Sequence, residues 1–169
     1  PRGAVGEIWC RGETVMLGYY KNPEATRATI TDEGWLKTGD LGRFDTEGFL
    51  SVTGRLKDMY KTGGTNVYPA EVEQFLVQHP AIAIVAIVGV PDARLDEVGF
   101  AFIQTHPGMQ ITHAELRAFC KGKLADYKVP RYLKLLAAIP RTTTGKIQRS
   151  ALLELASAEL TRTNHSMPG

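Results

Sequence analysis

The chain has 169 residues, 43% of them hydrophobic and 22% charged, with a formal net charge of +2. This is the composition of an ordinary globular protein, long enough for one full domain or for one domain and part of another. So small a charge, with no dense basic run interleaved with aromatics, argues against nucleic acid as partner, and the longest apolar run, Ala81–Val90, is half of what a membrane span requires.

Cys10 and Cys120 lie far apart, and His79, His106, His113 and His165 lack ligand-like spacing. Neither a disulfide framework nor a metal site is expected, and a reducing cytoplasm is the default compartment. The opening Pro1-Arg-Gly-Ala-Val-Gly-Glu7 has no Met and no leader-like segment, so it reads as a cut into a longer protein.

Residues 1–54 read as short strands punctuated by turns. Glu7–Arg11 and Phe49–Thr53 alternate apolar with polar side chains, and Asp32–Gly34, Lys37–Asp40 and Asp45–Gly48 supply turn residues. Asn22-Pro23 opens a short helix, with Pro where its missing N–H is harmless. No complete core can be counted here, so these strands are expected to finish a sheet begun elsewhere.

From Arg55 onward the pattern is self-sufficient. Pro69–Leu76 is a helix with Val72, Phe75 and Leu76 on one face, and Pro80 stops it. Ile82–Val88 is a β-branched run suited to a strand covered on both faces, and Val98–Ile103 is a second strand. Thr112-His-Ala-Glu115 has the spacing of a capping box, opening a helix that presents Leu116, Phe119, Cys120 and Leu124. Leu133–Ile139 is a third strand, and Ser150 is expected to cap a last helix through Leu160. The order β-β-α-β-β-α-β-α predicts an α+β domain, a small mixed sheet with helices packed on it. The expected division is thus residues 1–56 as the end of a larger β-rich domain, 57–160 as the α+β domain, and 161–169 as a polar tail.

Three segments carry chemistry. Pro140-Arg-Thr-Thr-Thr-Gly-Lys146 places a lysine on a Gly-containing turn just before a helix. It is not a P-loop, because Pro140 and Ile147 stand where that motif needs Gly and Ser or Thr. On its own it is a turn with a solvated lysine; as a site, its ammonium would meet a phosphate whose charge grows during reaction. Thr38-Gly39-Asp40 is likewise an ordinary turn signal, but a carboxylate there can accept bonds from a vicinal diol such as a ribose. In Gly54–Gly64, Arg55 offers a planar fork to ribose or phosphate oxygens. Gly63-Gly64 signals a tight hairpin and also lets a narrow ligand run close to the backbone. Lys57-Asp58 falls where a hinge between the two parts is expected.

Together Gly34–Asp40, Gly54–Asp58, Gly63–Glu73 and Pro140–Lys146, in this order, resemble the last core motifs of the adenylate-forming enzymes, which include acyl-CoA synthetases, luciferase and peptide-synthetase adenylation domains. Gly18–Glu24 also fits that pattern. The resemblance implies ATP, a carboxylic acid and CoA as substrates, with an acyl-adenylate between. It implies that Asp40 and Arg55 hold the ribose, that catalytic Lys146 serves adenylation, and that Lys57 and Asp58 form the hinge of a mobile C-terminal domain. Gly63 and Gly64 would wall the pantetheine tunnel, and Lys61 has no settled role. Magnesium and its glutamate ligand, the phosphate-gripping loop and the acyl pocket would all precede Pro1, in an N-terminal domain of the same protein.

Asn66–Glu73 resembles fatty or aryl acyl-CoA synthetases more than peptide-synthetase modules. Alternatives are an adenylation domain loading a carrier protein and a non-catalytic α+β binding module, whose open strand edges in residues 1–54 leave room for a homodimer. Pro140–Lys146 also resembles a lysine acetylation site of such relatives.

Overall fold

The β-branched run at Ile82 sets the centre of the larger part of the fold. In the computed structural model, which describes residues 3–165, it forms β6 (Ile82–Asp92) and pairs along its length with antiparallel β7 (Asp96–Thr105). The chain divides into two units between Lys57 and Asp58.

In the first unit, β1 (Gly6–Cys10), β2 (Leu36–Phe44) and β3 (Leu50–Arg55) make a three-stranded antiparallel sheet in that order, with α1 (Pro23–Thr29) inserted after β1. Asn22 caps α1 by accepting the Ala25 N–H, as its sequence predicts. Lys37–Asp40, expected as a turn, instead lies inside β2. The register against β1 shifts there, from Glu7↔Leu41 to Trp9↔Lys37, so the residues between bulge out of the ladder. Gly39 takes a φ of 71°, which no β-branched residue would accept easily. Asp45–Gly48 is a true turn, closed by Asp45 Oδ1 accepting the Glu47 and Phe49 N–H groups. Only Leu41 among the apolar side chains described in this unit is buried, whereas Leu17, Tyr20, Phe49 and Val52 are exposed.

The second unit follows the predicted order. A 3-10 turn (Leu56–Asp58) leads into β4 (Tyr60–Thr62) and β5 (Thr65–Val67), then α2 (Pro69–Leu76), β6, β7, α3 (His113–Cys120), β8 (Tyr132–Leu135) and α4 (Arg149–His165). One edge of β7 carries β6; the other is shared by β4, at Thr62↔Asp96, and by parallel β8. The sheet is therefore mixed. Alternate β6 residues enter two cores. Val85 and Ile87 pack with Val72, Leu76, Leu116 and Cys120 of α2 and α3; Ala86, Val88 and Val90 pack with Phe100, Phe102, Leu152 and Ala156 of β7 and α4. This explains the unbroken apolar run: both faces are covered, even though the pairing is antiparallel.

Gly89 and Gly99 leave a slot in which the Tyr60 ring lies. A Cβ at Gly89 would come 2.4 Å from Tyr60 Cβ, and one at Gly99 2.5 Å from Tyr60 Oη.

Local signals hold closely. Thr112 Oγ1 accepts the Glu115 N–H while Glu115 returns a bond from the Thr112 N–H, completing the capping box. α2 ends at Leu76 as expected, whereas other boundaries differ. β6 runs on through Pro91, which is exposed. β8 stops at Leu135, and buried Ile139 instead donates its N–H to Gln104 Oε1. α4 begins at Arg149 rather than after Ser150, because the Gln148 carbonyl already accepts the Leu152 N–H. It also continues through His165, past the expected end at Leu160; of the expected tail, residues 166–169 lie outside the described residues.

Candidate functional site

Asp40 and Arg55 are cross-strand partners in β2 and β3, and the geometry sets them face to face. Arg55 Nε donates to Asp40 Oδ1 at 2.7 Å, with the two side chains 50% and 37% exposed. At that exposure the ion pair adds little stability, so both groups remain available to a ligand rather than committed to the fold. Next to them opens a depression of about 330 Å³ lined by Thr38, Gly39, Arg55, Leu56 and Lys57.

The bulge in β2 forms one wall. There Thr38 Oγ1 donates to the Ile8 carbonyl at 2.7 Å and accepts the Asp40 N–H at 3.0 Å, and Gly39 N–H donates to Glu7 Oε1 at 3.1 Å. Backbone groups taken out of the ladder thus gain side-chain partners, and Asp40 is held in place from both sides of the bulge.

The second unit carries the remaining expected residues except Lys57. Arg141 and Ile147 form an isolated antiparallel bridge, so the Lys146 turn is a closed hairpin rather than a simple run into the helix. Within it Thr142 N–H donates to the Lys146 carbonyl at 2.7 Å, Gly145 N–H to the Thr142 carbonyl at 2.9 Å, and Arg141 Nη1 to the Gly145 carbonyl at 2.9 Å. Thr142 Oγ1 accepts the Lys146 N–H at 3.2 Å and lies 2.9 Å from Thr144 Oγ1. The polar groups of the loop are spent on the loop itself, and Lys146 stands exposed on a braced support.

Gly63 and Gly64, with φ of 54° and 78°, form the two-residue turn between β4 and β5, the mirror-image geometry that matches strand twist. Gly63 N–H is tied to the Leu95 carbonyl at 2.8 Å. Lys61 is exposed, and its N–H donates to Glu97 Oε2 at 2.9 Å. Lys57 is exposed at the end of the first unit, and Asp58, half-buried, begins the second.

No role was assigned from sequence to Arg149 or Glu73, yet they form the densest polar cluster described. Arg149 Nη1 and Nη2 bind the two Glu73 oxygens at 2.9 and 3.0 Å, and its Nε lies 3.1 Å from Asp58 Oδ2. Burial would lower the guanidinium pKa, but the bonds and charges of Glu73 and then Asp58 raise it, so Arg149 is held charged. The only hint in the sequence was position: Glu73 ends the segment Gly63–Glu73, and Arg149 follows Pro140–Lys146 by three residues.

Among the described residues no three His, Cys, Asp or Glu side chains gather as a metal site. No described helix is long and apolar enough to cross a membrane.

Residues 71–146, from α2 through the Lys146 hairpin, match the family model described as the AMP-binding enzyme C-terminal domain. The match covers most of the second unit, and individual relatives extend the similarity across both units. A 3-[(3aS,4S,7aS)-7a-methyl-1,5-dioxo-octahydro-1H-inden-4-yl]propanoyl:CoA ligase of Rhodococcus jostii is 48% identical over 152 residues, which cover 90% of this chain and 30% of that protein. The mitochondrial medium-chain acyl-CoA ligase ACSF2 of Danio rerio is 46% identical over 160 residues, covering 95% and 26%. The o-succinylbenzoate CoA synthetase of Bacillus subtilis, solved with its acyl-adenylate intermediate, superposes with a TM-score of 0.83 at 39% identity, covering 90% and 31%. The chain therefore spans under a third of the length of these relatives.

Proposed function

We propose that this chain is the C-terminal part of an AMP-forming ligase that activates a carboxylic acid, fatty or aryl, with ATP and passes the acyl group to CoA. The observation that carries this reading is that CoA ligases match both units, not residues 71–146 alone. In this reading residues 1–56 close a larger N-terminal domain, residues 57–160 form a mobile domain, and the protein works in the cytoplasm.

The chemistry follows from the side chains. The Asp40 carboxylate accepts from the two ribose hydroxyls of the nucleotide, and Arg55, already bonded to Asp40 at 2.7 Å, donates to the same ligand. In the first step a carboxylate oxygen attacks the α-phosphorus as the bond to pyrophosphate breaks. Lys146 puts its ammonium beside the carboxylate and phosphate oxygens, where negative charge builds up. The braced hairpin lowers the cost of holding it there. In the second step the CoA sulfur attacks the acyl carbon and AMP leaves with the bonding electrons. Lys146 has no part in that step, so rotation at Lys57 and Asp58 would withdraw it and bring the Gly63-Gly64 turn to the pantetheine arm.

The test uses the full-length protein. Lys146→Ala is expected to lower acid-dependent ATP–pyrophosphate exchange at least about a hundredfold. Thioester formation from preformed acyl-adenylate should stay near the wild-type rate. Equal loss in both half-reactions would overturn the role of Lys146, and exchange catalysed by residues 1–169 alone would overturn the division of labour.

A further inference from the structure

Arg149 opens α4 three residues after Lys146, and its guanidinium joins α4 to three other elements. Its Nη1 and Nη2 grip Glu73 of α2 as a fork, and Nη1 also donates to the Ile87 carbonyl of β6 at 2.7 Å. Glu73 Oε1 closes the circuit by accepting the Ile87 N–H at 2.7 Å. The fourth element is the 3-10 turn: Asp58 Oδ2 lies 3.1 Å from Nε. All three charged side chains are largely covered, at 24%, 15% and 17% exposure for Arg149, Glu73 and Asp58.

A single cation here faces two anions. Glu73 and Ile87 already make a complete bidentate site for Arg149, which is all that packing requires. Asp58 adds a second buried negative charge, and burying a charge is costly unless its placement gives something back. What distinguishes Asp58 is its position, as the first residue past the boundary at Lys57. The Arg149 end of the cluster is equally particular: Gln148 N–H donates to the Pro140 carbonyl at 2.9 Å and Arg141 pairs with Ile147, so the Lys146 hairpin is rooted directly on the start of α4.

Building on the function proposed above, we infer that Arg149 is a positioning residue. Through Asp58 it fixes the C-terminal side of the hinge to the base of the Lys146 hairpin, so that turning at Lys57 carries Lys146 as part of one stiff lever. Without the Asp58 contact the domain still folds on the Glu73 pair, but the angle at which Lys146 arrives is no longer set by the hinge.

The test is Asp58→Asn in the full-length protein, beside Lys146→Ala and Asp58→Glu. Asp58→Asn is expected to lower the kcat of ATP–pyrophosphate exchange about ten- to a hundredfold, with KM for ATP within about threefold, because a placement error acts on the reacting geometry rather than on nucleotide binding. Thioester formation from preformed adenylate should fall less than exchange does, and the melting temperature should change by less than about 4 °C. Asp58→Glu, which keeps the charge, should recover most of the exchange rate. The inference is overturned if Asp58→Asn abolishes cooperative melting, slows both half-reactions alike or leaves exchange intact, or if Asp58→Glu recovers nothing. Failure of the underlying function would show separately, as exchange that Lys146→Ala does not impair.

Discussion

Residues 58–165 sandwich a sheet between helices on both faces, while the sheet of residues 3–57 buries a single apolar side chain, Leu41, and leaves Leu17, Tyr20, Phe49 and Val52 in solvent. The lesson concerns where stability resides. Burial of apolar surface is the main driving force for folding, and nearly all of it lies in the second unit. The first unit keeps its strands together by ladder bonds and turn chemistry, and displays a depression of about 330 Å³ beside an exposed ion pair.

The largest test of this contrast is to separate the two. Residues 58–169 expressed alone should melt in one cooperative transition followed by circular dichroism, and residues 1–57 alone should show none. A cooperative transition in the short piece would mean that its sheet needs no further cover. Next in size is Gly89→Ala, whose new methyl would lie 2.4 Å from Tyr60 Cβ, an atom with no freedom to retreat. Overpacking of this kind should lower the stability of the chain by about 1–3 kcal/mol in urea titration.

Acid should act on the second unit as well. The Asp92 carboxyl is held below its ordinary value by the Arg94 N–H first, then by the Leu95 N–H and Arg131. Glu115 is held down by the N–H and hydroxyl of Thr112, and Glu159 by Lys134. A carboxyl lowered in the folded state contributes stability that is present above its unfolded pKa and lost as pH falls through the folded one. The melting temperature should therefore stay level from neutral pH down to the ordinary Glu value of 4.5 and drop below it, and Glu115→Gln should make that drop shallower. Smallest of all, Leu17→Ser in the first unit should shift stability by less than about 0.5 kcal/mol, since Leu17 is fully exposed.

Signals confined to a few neighbouring residues were legible in the sequence. The Thr112–Glu115 capping box, the Gly63-Gly64 turn and the doubly covered run at Ile82 each depend on their own segment, and the structure reproduces them. Lys37–Asp40 went astray because the partners that turn it into a bulge, Glu7 and Ile8, lie 32 and 30 residues from the groups they bind. Likewise Ser150 looked like a cap, since nothing local told that Arg149 would be drawn inward by Glu73, 76 residues earlier. For the candidate site, Asp40 and Arg55 could each be picked out by chemistry and resemblance, but their direct contact follows from a strand register no spacing rule announces. Arg149 was overlooked for the same reason, as its meaning lies wholly in distant partners.

The Tyr60 slot bears on how β6 finds β7. A strand polar on one face can pair in few alignments, because sliding by one residue exposes its apolar side. Here both faces are apolar, so hydrophobic pattern alone tolerates a slipped hairpin. Gly89 and Gly99 sit directly opposite each other in the observed pairing, and only that alignment merges their two missing side chains into one space wide enough for a phenol ring. Tyr60 thus works as a key: it is from a neighbouring strand that the long hairpin is told which of several near-equivalent registers to keep.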